Sequence, residues 1–175
     1  MNAAMNENLT DAWTAICITP AVCAEWSEFN PASGVLGEAA KTAGAVSRKP
    51  GEPVEWMHHA PNRWLLPNLQ PPLRDLLLTA ETRQCGVLTQ VSGKWQCIRL
   101  LPPKTTHKLR HPLGAGMPVE LILEQRQCAA IVLFDCPVIV ESDDGLLSVW
   151  VESSYLNSFL EMLKTLDVKV IVKAD

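Results

Sequence analysis

Adjacent histidines at positions 58 and 59 are the first side chains in this sequence that could bind a metal ion or move a proton. They stand directly before Ala60-Pro61-Asn62, a run that is typical of a turn. Neighbouring residues of a strand point to opposite faces of a sheet, so one metal ion cannot readily take both imidazoles. We therefore interpret this pair as part of a solvated turn with one half-buried ring.

His107 and His111 have the i, i+4 spacing that some helical metal sites use. A third ligand would have to come from a distant residue such as Cys85 or Asp135, and Pro112 disfavours helical geometry at His111. The same stretch holds a small basic cluster, formed by Lys104, His107, Lys108, Arg110 and His111. This cluster is either a solvated charged face or a site for an anionic ligand or an acidic partner.

The six cysteines are spaced unlike the ligands of a zinc site, because no two of them form a Cys-x-x-Cys pair. Cys128 and Cys136 flank the apolar run 129–134, so we expect small buried thiols that pack as hydrophobic side chains. A secreted disulfide framework is disfavoured, because the chain is long enough for a core and begins without a signal-peptide pattern.

Serine-based catalysis and nucleotide binding have weak support in the sequence. No Gly-x-Ser-x-Gly elbow is present, and Ser153-Ser154 is better explained as a helix cap than as a nucleophile beside Asp143. Gly114-x-Gly116 lies between two prolines and leads into no clear helix, which disfavours a phosphate-binding loop. We predict no catalytic, cofactor-binding or metal-binding residue in this chain.

The composition is that of a globular protein. The chain has 175 residues, of which 47% are apolar and 19% charged, and its net charge is −4. These values argue against global disorder and against a basic nucleic-acid-binding surface. No apolar run reaches the ~18 residues of a membrane-spanning helix, and we expect a cytoplasmic protein.

The elements that must position these side chains divide at about residue 50. Residues 1–50 are predicted to be an N-terminal arm, partly irregular, with a short helix capped near Leu9-Thr10-Asp11 and ended by Pro20. Residues 30–53 hold few large apolar side chains and are interpreted as a long loop or linker. Residues 51–175 are predicted to form a single α+β domain.

Two stretches of this domain have the same predicted order of strand, strand, helix, strand. In residues 53–91, two strands flank the turn at 59–62, a helix capped by Asn68 covers residues 69–80, and a strand follows at 86–91. In residues 128–173, a strand at 128–134 is predicted to continue through 138–140 past a break at Pro137. A strand at 146–151, a helix capped by Ser153 or Ser154 and a last strand at 168–172 follow. Between them, strands are predicted at 95–101, after a turn at Ser92-Gly93, and at 119–123. The fold class is therefore α+β, with two similar units that form antiparallel sheets covered by helices.

Six tryptophans are many for a chain of this size. Most are expected in the core, but tryptophan is also enriched in protein interfaces. Trp13 and Trp26 lie in the sparse N-terminal region and are the preferred anchors for contact with another surface, within this chain or outside it. The full set of candidate partner-interface residues is Trp13, Trp26, Trp56, Trp64, Lys108 and Arg110.

The order of these signals resembles a known family. Ala60-Pro61-Asn62-Arg63-Trp64-Leu65-Leu66 is similar to the Gly-Pro-Asp-Glu-Trp-Leu-Leu segment of the gamma subunit of heterotetrameric sarcosine oxidase. The strand pair at 87–100 and the segments 128–134, 146–151 and 153–156 follow in the order of that family. Gln90 stands where the family often has Asp, and Pro102-Pro103 replaces its Gly-Pro.

This resemblance, over roughly residues 51–166, implies a fold similar to the folate-binding domain of aminomethyltransferases. It implies a non-catalytic subunit of a flavin-dependent oxidase or dehydrogenase that acts on sarcosine or a related N-methyl amino acid in sarcosine catabolism. FAD, FMN, NAD and tetrahydrofolate would then be bound by larger alpha and beta partner subunits, and zinc by a small delta subunit. The alternative is a stand-alone domain that binds folate or another anionic ligand near residues 104–111.

Overall fold

A computed structural model describes residues 12–18, 22–30, 34–49, 52–104, 111–113, 119–125, 127–143 and 146–172. These residues form a mixed α+β structure with two sheets and few helices, which confirms the predicted class. None of the helices in the described ranges is long and apolar enough to cross a membrane.

The first six strands are β1 Thr14–Ile18, β2 Ala24–Glu28, β3 Val46–Ser47, β4 Trp56–Ala60, β5 Arg63–Leu66 and β6 Gly86–Gln90. The remaining five are β7 Trp95–Leu101, β8 Cys128–Leu133, β9 Cys136–Asp143, β10 Leu146–Glu152 and β11 Lys169–Val172. The α-helices are α1 Pro71–Thr82, α2 Val119–Gln125 and α3 Leu156–Thr165, and 3₁₀ helices lie at Glu38–Lys41 and Ser153–Tyr155.

The strands form a five-stranded sheet in the order β3-β4-β5-β2-β6 and a six-stranded sheet in the order β11-β1-β7-β10-β9-β8. The two sheets pack face to face around a shared cluster that includes Met57 and Leu65 of one sheet and Trp95, Ile139 and Trp150 of the other. Helices cover the two outer faces, so the fold has four layers.

Each outer layer has its own hydrophobic core. Leu77 and Ala80 of α1 pack on Trp26, Trp56 and Trp64 of the five-stranded sheet. On the six-stranded sheet, α3 buries Phe159, Leu160 and Leu163 at i, i+1 and i+4. Each fully buried side chain of this size contributes roughly 1.5–3 kcal/mol to the free energy of folding, so both helices are firmly held.

The short helix predicted before Pro20 is wrong, because Thr14–Ile18 is a strand. This strand, β1, lies between β7 and β11, and β2 lies between β5 and β6, so residues before position 50 supply inner strands to both sheets. The predicted linker 30–53 does hold only a 3₁₀ helix and the two-residue strand β3 among its described residues. Whether residues 51–175 fold as a domain on their own stays a prediction.

Two further element predictions are corrected by the structure. Residues 119–123 were predicted as a strand, but they begin α2, because Val119, Ile122 and Leu123 have the i, i+3, i+4 spacing that packs on the six-stranded sheet. Residues 138–140 belong to a separate strand, β9, because Phe134 and Asp135 make a two-residue turn between β8 and β9 with φ values of 51° and 61°.

The predicted serine cap of α3 is also wrong. The residue that precedes the helix is Tyr155, which makes no capping hydrogen bond with its side chain. The hydroxyl of Ser153 donates instead to the backbone oxygen of Gly93. Likewise α1 begins two residues later than predicted, with Gln70 rather than Asn68 before it and Pro71 and Pro72 in its first turn.

The two predicted units are related in topology. In the first, β5 and β6 are parallel and joined through α1, with β2 inserted between them. In the second, β10 and β11 are parallel and joined through α3, with β7 and β1 inserted. The strands β6 and β7, which were predicted to follow one another across a turn, belong to different sheets.

Candidate functional site

The side chain of Glu25 is the centre of a polar cluster between the two sheets. It lies on β2, is 5% exposed, and accepts hydrogen bonds from Arg63 at 2.9 Å, Lys94 at 3.1 Å and the indole Nε1 of Trp95 at 3.0 Å. Burial alone raises the pKa of Glu25, but these hydrogen bonds from Trp95, Lys94 and Arg63 outweigh it and hold the pKa below its ordinary value. Both carboxylate oxygens are occupied, so this group stabilises the fold and is unsuited to accept a substrate proton.

A second buried carboxylate also joins the sheets. Glu141 of β9 is 2% exposed and forms an ion pair with Arg48, which follows β3 of the other sheet. A charge buried this deeply persists because it has a partner. The two buried glutamates therefore connect the layers at separate places.

The imidazole of His58 is buried against Trp64 of the neighbouring strand. Its ring is 7% exposed and stacks on the indole with centroids 4.7 Å apart. Nδ1 lies 3.0 Å from the backbone oxygen of Thr42. A carbonyl oxygen can only accept, so Nδ1 carries a proton and donates it to Thr42.

His59 is the extra residue of a β-bulge, because His58 pairs with Trp64 and Ala60 pairs with Arg63. Burial lowers the pKa of His59 to about 4, helped by the positive charges of Arg63 and Lys94 and opposed by Glu25. His59 is therefore neutral at pH 7. Its electrostatic neighbours include the charges of the cluster between the sheets, whereas His58 packs on Trp64. His59 is half-buried, as was predicted for one ring of the pair, but the prediction of a solvated turn is wrong for His58, which is buried.

A cleft of about 450 Å³ lies beside these two histidines. Its walls are the loop after the 3₁₀ helix Glu38–Lys41, the turn between β4 and β5, and the start of β8. The residues that matter most for its chemistry are Lys41, His58, His59, Asn62 and Cys128. The Nε2 atoms of both histidines are buried and have no hydrogen-bond partner among the described residues, a state that costs about 1–3 kcal/mol for each polar group.

Other candidate ligands are not brought together. No group of three His, Cys, Asp or Glu side chains in the described ranges could hold a metal ion. His107 lies outside the described residues, and the ring of His111 lies 6.1 Å from that of Trp13. All six cysteines are free thiols, and the expected burial of Cys128 and Cys136 is confirmed.

The predicted partner-interface residues separate into three groups. Trp26, Trp56 and Trp64 are 0%, 7% and 3% exposed beneath α1, so they pack within the chain and have almost no surface for a partner. Trp13 is half-buried against the core of the six-stranded sheet. Lys108 and Arg110, with most of the basic cluster after Lys104, lie outside the described residues.

Sequence reasoning missed Glu25 and Lys41. The signal for Glu25 was present in Ala24-Glu25-Trp26, where a charged residue alternates with residues that face the other side of the strand. The sparse apolar content of residues 1–50 outweighs this short alternation and favours an irregular arm. Lys41 carries no signal in the sequence, since only the fold brings it to the cleft.

No protein-family model and no curated protein sequence matches this chain. A solved structure does match it, the heterotetrameric sarcosine oxidase from Corynebacterium sp. U-96 in complex with pyrrole 2-carboxylate. A chain of that structure superimposes with a TM-score of 0.69 at 15% identity, over 89% of this chain and 84% of that chain. The two chains are thus similar in length, and at this identity the likeness shows a shared fold.

Proposed function

We propose that this chain is a non-catalytic, gamma-type subunit of a flavin-dependent multi-subunit oxidase or dehydrogenase that acts on sarcosine or a related N-methyl amino acid. The observation that carries the proposal is the fold shared with a chain of a heterotetrameric sarcosine oxidase over most of both lengths. The motif resemblance over roughly residues 51–166 points to the same family and uses different information, namely residue identities.

The chemistry of the described residues supports a structural role. Glu25 and Glu141, the most deeply buried carboxylates, are both held in ion pairs that join the sheets. A group that acts as a general base needs an oxygen within reach of substrate. In the proposed complex, the larger subunits bind FAD, FMN, NAD and tetrahydrofolate, and a small subunit binds zinc.

Exposed apolar side chains at the edges of the six-stranded sheet also support assembly of this chain into a complex. Val132 of edge strand β8 is 58% exposed, and Ile171 and Val172 of edge strand β11 are 38% and 59% exposed. The sequence of β8, CAAIVL, lacks the charges and prolines that commonly protect an edge strand from unwanted pairing. Burial against a partner subunit would remove these surfaces from water.

The experiment is affinity purification of the full chain, tagged at its C-terminus, from its native cells. We expect co-purification of larger chains with a flavin absorbance spectrum, and N-methyl amino acid oxidation by the purified complex. A version with Val132→Lys, which places a charge on the β8 edge, tests whether that edge is part of the contact. Recovery of the wild-type chain as a stable monomer without a flavoprotein would contradict the proposal.

A further inference from the structure

The outer edge of β8 carries backbone groups that point away from the β8–β9 ladder. Leu133 pairs with Cys136 across the two-residue turn, and at the other end the amide of Ser142 donates to the oxygen of Gln127 at 3.1 Å. Ladder hydrogen bonds of an antiparallel pair fall on every second residue. The odd-numbered residues of β8 therefore bond to β9, and the N–H and C=O groups of its even-numbered residues point outward.

One of these outward groups is already bonded to another extended segment of this chain. The amide of Cys128 donates to the backbone oxygen of Gly44 at 2.9 Å, just before the chain enters β3 and pairs with β4. Among the described residues, β8 is the last strand of its sheet. Ala130 and Val132 therefore form an open edge, and both are exposed, Val132 to 58%.

The cleft of about 450 Å³ adjoins the start of this open edge. Gly44, Cys128 and Ala129 are among the residues that line it. A strand that pairs with Ala130 and Val132 and continues toward the start of β8 therefore meets a concave space there. The edge has room for an added chain at the end where Gly44 would otherwise block it.

The side chains of this edge favour an uncharged partner. The sequence of β8, CAAIVL, has neither a charge nor a proline. A charged side chain placed beside Val132 would lose part of its hydration without an ion-pair partner on β8. Uncharged residues with small or branched side chains are therefore expected in a strand that pairs with this edge.

A second copy of this chain fits the edge poorly. Two β8 strands related by a two-fold axis run antiparallel, and the register that uses both open residues places Ala130 opposite Val132 of the other copy. Residue 128 of one copy then faces residue 134 of the other. Gly44 already occupies the edge beside Cys128, where Phe134 of the second copy would have to lie. A single extended segment with no hairpin behind it avoids this collision.

We propose that a partner subunit adds one extended, uncharged segment to β8 as a new edge strand, bonded to the outward N–H and C=O groups of Ala130 and Val132. Main-chain hydrogen bonds supply the affinity in this mode of recognition, and the neighbouring side chains supply the selectivity. The assignment of the segment to a subunit of a flavoprotein complex rests on the proposed function, whereas the mode of contact rests on the edge itself.

The test compares backbone hydrogen exchange of the full chain alone and in the complex purified from native cells. Mass spectrometry with electron-transfer fragmentation after quenching resolves single amides. In the chain alone, the amides of Ala130 and Val132 should exchange roughly tenfold or more faster than those of Ala129 and Ile131, which bond to β9. In the complex, exchange at Ala130 and Val132 should slow by roughly tenfold or more.

Two variants at one position separate main-chain pairing from side-chain burial. Val132→Pro removes an outward N–H and no ladder bond, a substitution that edge strands tolerate, whereas Val132→Thr keeps the N–H and the shape of the side chain. We expect the dissociation constant of the complex to rise roughly tenfold or more with proline and less than about threefold with threonine. If the proline variant does not fold, the exchange comparison on the wild-type chain still decides.

Three results would overturn the proposal. Protection of Ala130 and Val132 in the monomeric chain alone would mean that a segment of this chain occupies the edge, and protection that grows with its concentration would mean that a second copy does. Unchanged exchange in a complex that contains flavin would also refute the edge contact while leaving the proposed function intact. Protection by a partner without flavin would support the edge contact and contradict that function.

Discussion

The indole Nε1 of Trp95 donates a hydrogen bond of 3.0 Å to Oε1 of Glu25, and this contact connects a strand of the six-stranded sheet to a strand of the five-stranded sheet. Lys94 reaches the same oxygen from the residue before Trp95, and Arg63 takes the other oxygen from within the five-stranded sheet. The carboxylate therefore has three donors, and it fixes how the two sheets lie against each other.

Glu25→Gln is expected to lower the free energy of unfolding by about 1.5–3 kcal/mol, the range for hydrogen bonds to a charged group. The amide oxygen can still accept from Trp95, but the charge partner of Arg63 and Lys94 is lost. Urea unfolding followed by tryptophan fluorescence measures the change. Glu161→Gln, which breaks the exposed pair with Lys164, should alter stability by less than about 0.5 kcal/mol. Equal effects of the two substitutions would contradict a special role for Glu25.

The same carboxylate predicts an acid-sensitive part of the stability. Its pKa in the folded state is lower than the ordinary carboxyl value of 4.5, so its contribution is complete above pH 4.5 and is lost as the pH falls through the lowered pKa. The stability difference between wild type and Glu25→Gln should therefore be constant at neutral pH and shrink below pH 4.5. A difference that stays the same down to the acid unfolding limit would show that Glu25 has an ordinary pKa.

His59 predicts a separate pH dependence at higher pH. Its pKa is about 4 in the folded chain against an ordinary value of 6.5, so between these values the unfolded chain binds the extra proton. The stability contribution of the neutral ring is complete above pH 6.5 and falls as the pH drops toward 4, by at most about 1.4 kcal/mol per pH unit for one proton. His59→Gln should flatten this slope, as measured by urea unfolding across the range. An unchanged slope in the variant would contradict a buried, neutral His59.

The local sequence pattern correctly predicts the elements that depend on contacts between residues close together in the sequence. β4, β5 and α1 follow from alternation, a Pro-Asn turn and helical spacing within residues 53–82. The strand prediction for α2 is wrong because a short apolar run such as residues 119–123 fits both the helical and the strand periodicity. Packing against the six-stranded sheet favours the helix.

The candidate site could not be predicted from the sequence, for a different reason. The donors to Glu25 are 38, 69 and 70 residues away in sequence, and the parallel pairing of β1 with β11 joins residues 14–17 to 169–172. Single-sequence patterns carry little information on contacts of this range. The cleft likewise combines Lys41, the turn after His59 and Cys128, which only tertiary folding brings together.

Removal of residues 1–50 is expected to prevent folding. The deletion takes away β1, the neighbour of both β7 and β11, and β2, the neighbour of both β5 and β6, so it opens both sheets in their interior. Circular dichroism should show loss of cooperative thermal unfolding, and a deletion of residues 1–11, which precede β1, is the control. A cooperative transition in residues 51–175 would instead support a domain boundary at residue 50.

Gly86→Ala should strongly destabilise the five-stranded sheet. A Cβ at this position would lie 2.4 Å from the backbone oxygen of Ser27 and 2.5 Å from the ring of Trp26, which is fully buried and cannot move aside. Overpacking of this kind costs about 1–3 kcal/mol, and the strand backbone leaves little room for relief. Thr89→Ala on the same strand, at an exposed position, should change the urea midpoint only slightly. Similar midpoints for the two variants would show that β2 and β6 separate more easily than the close contact implies.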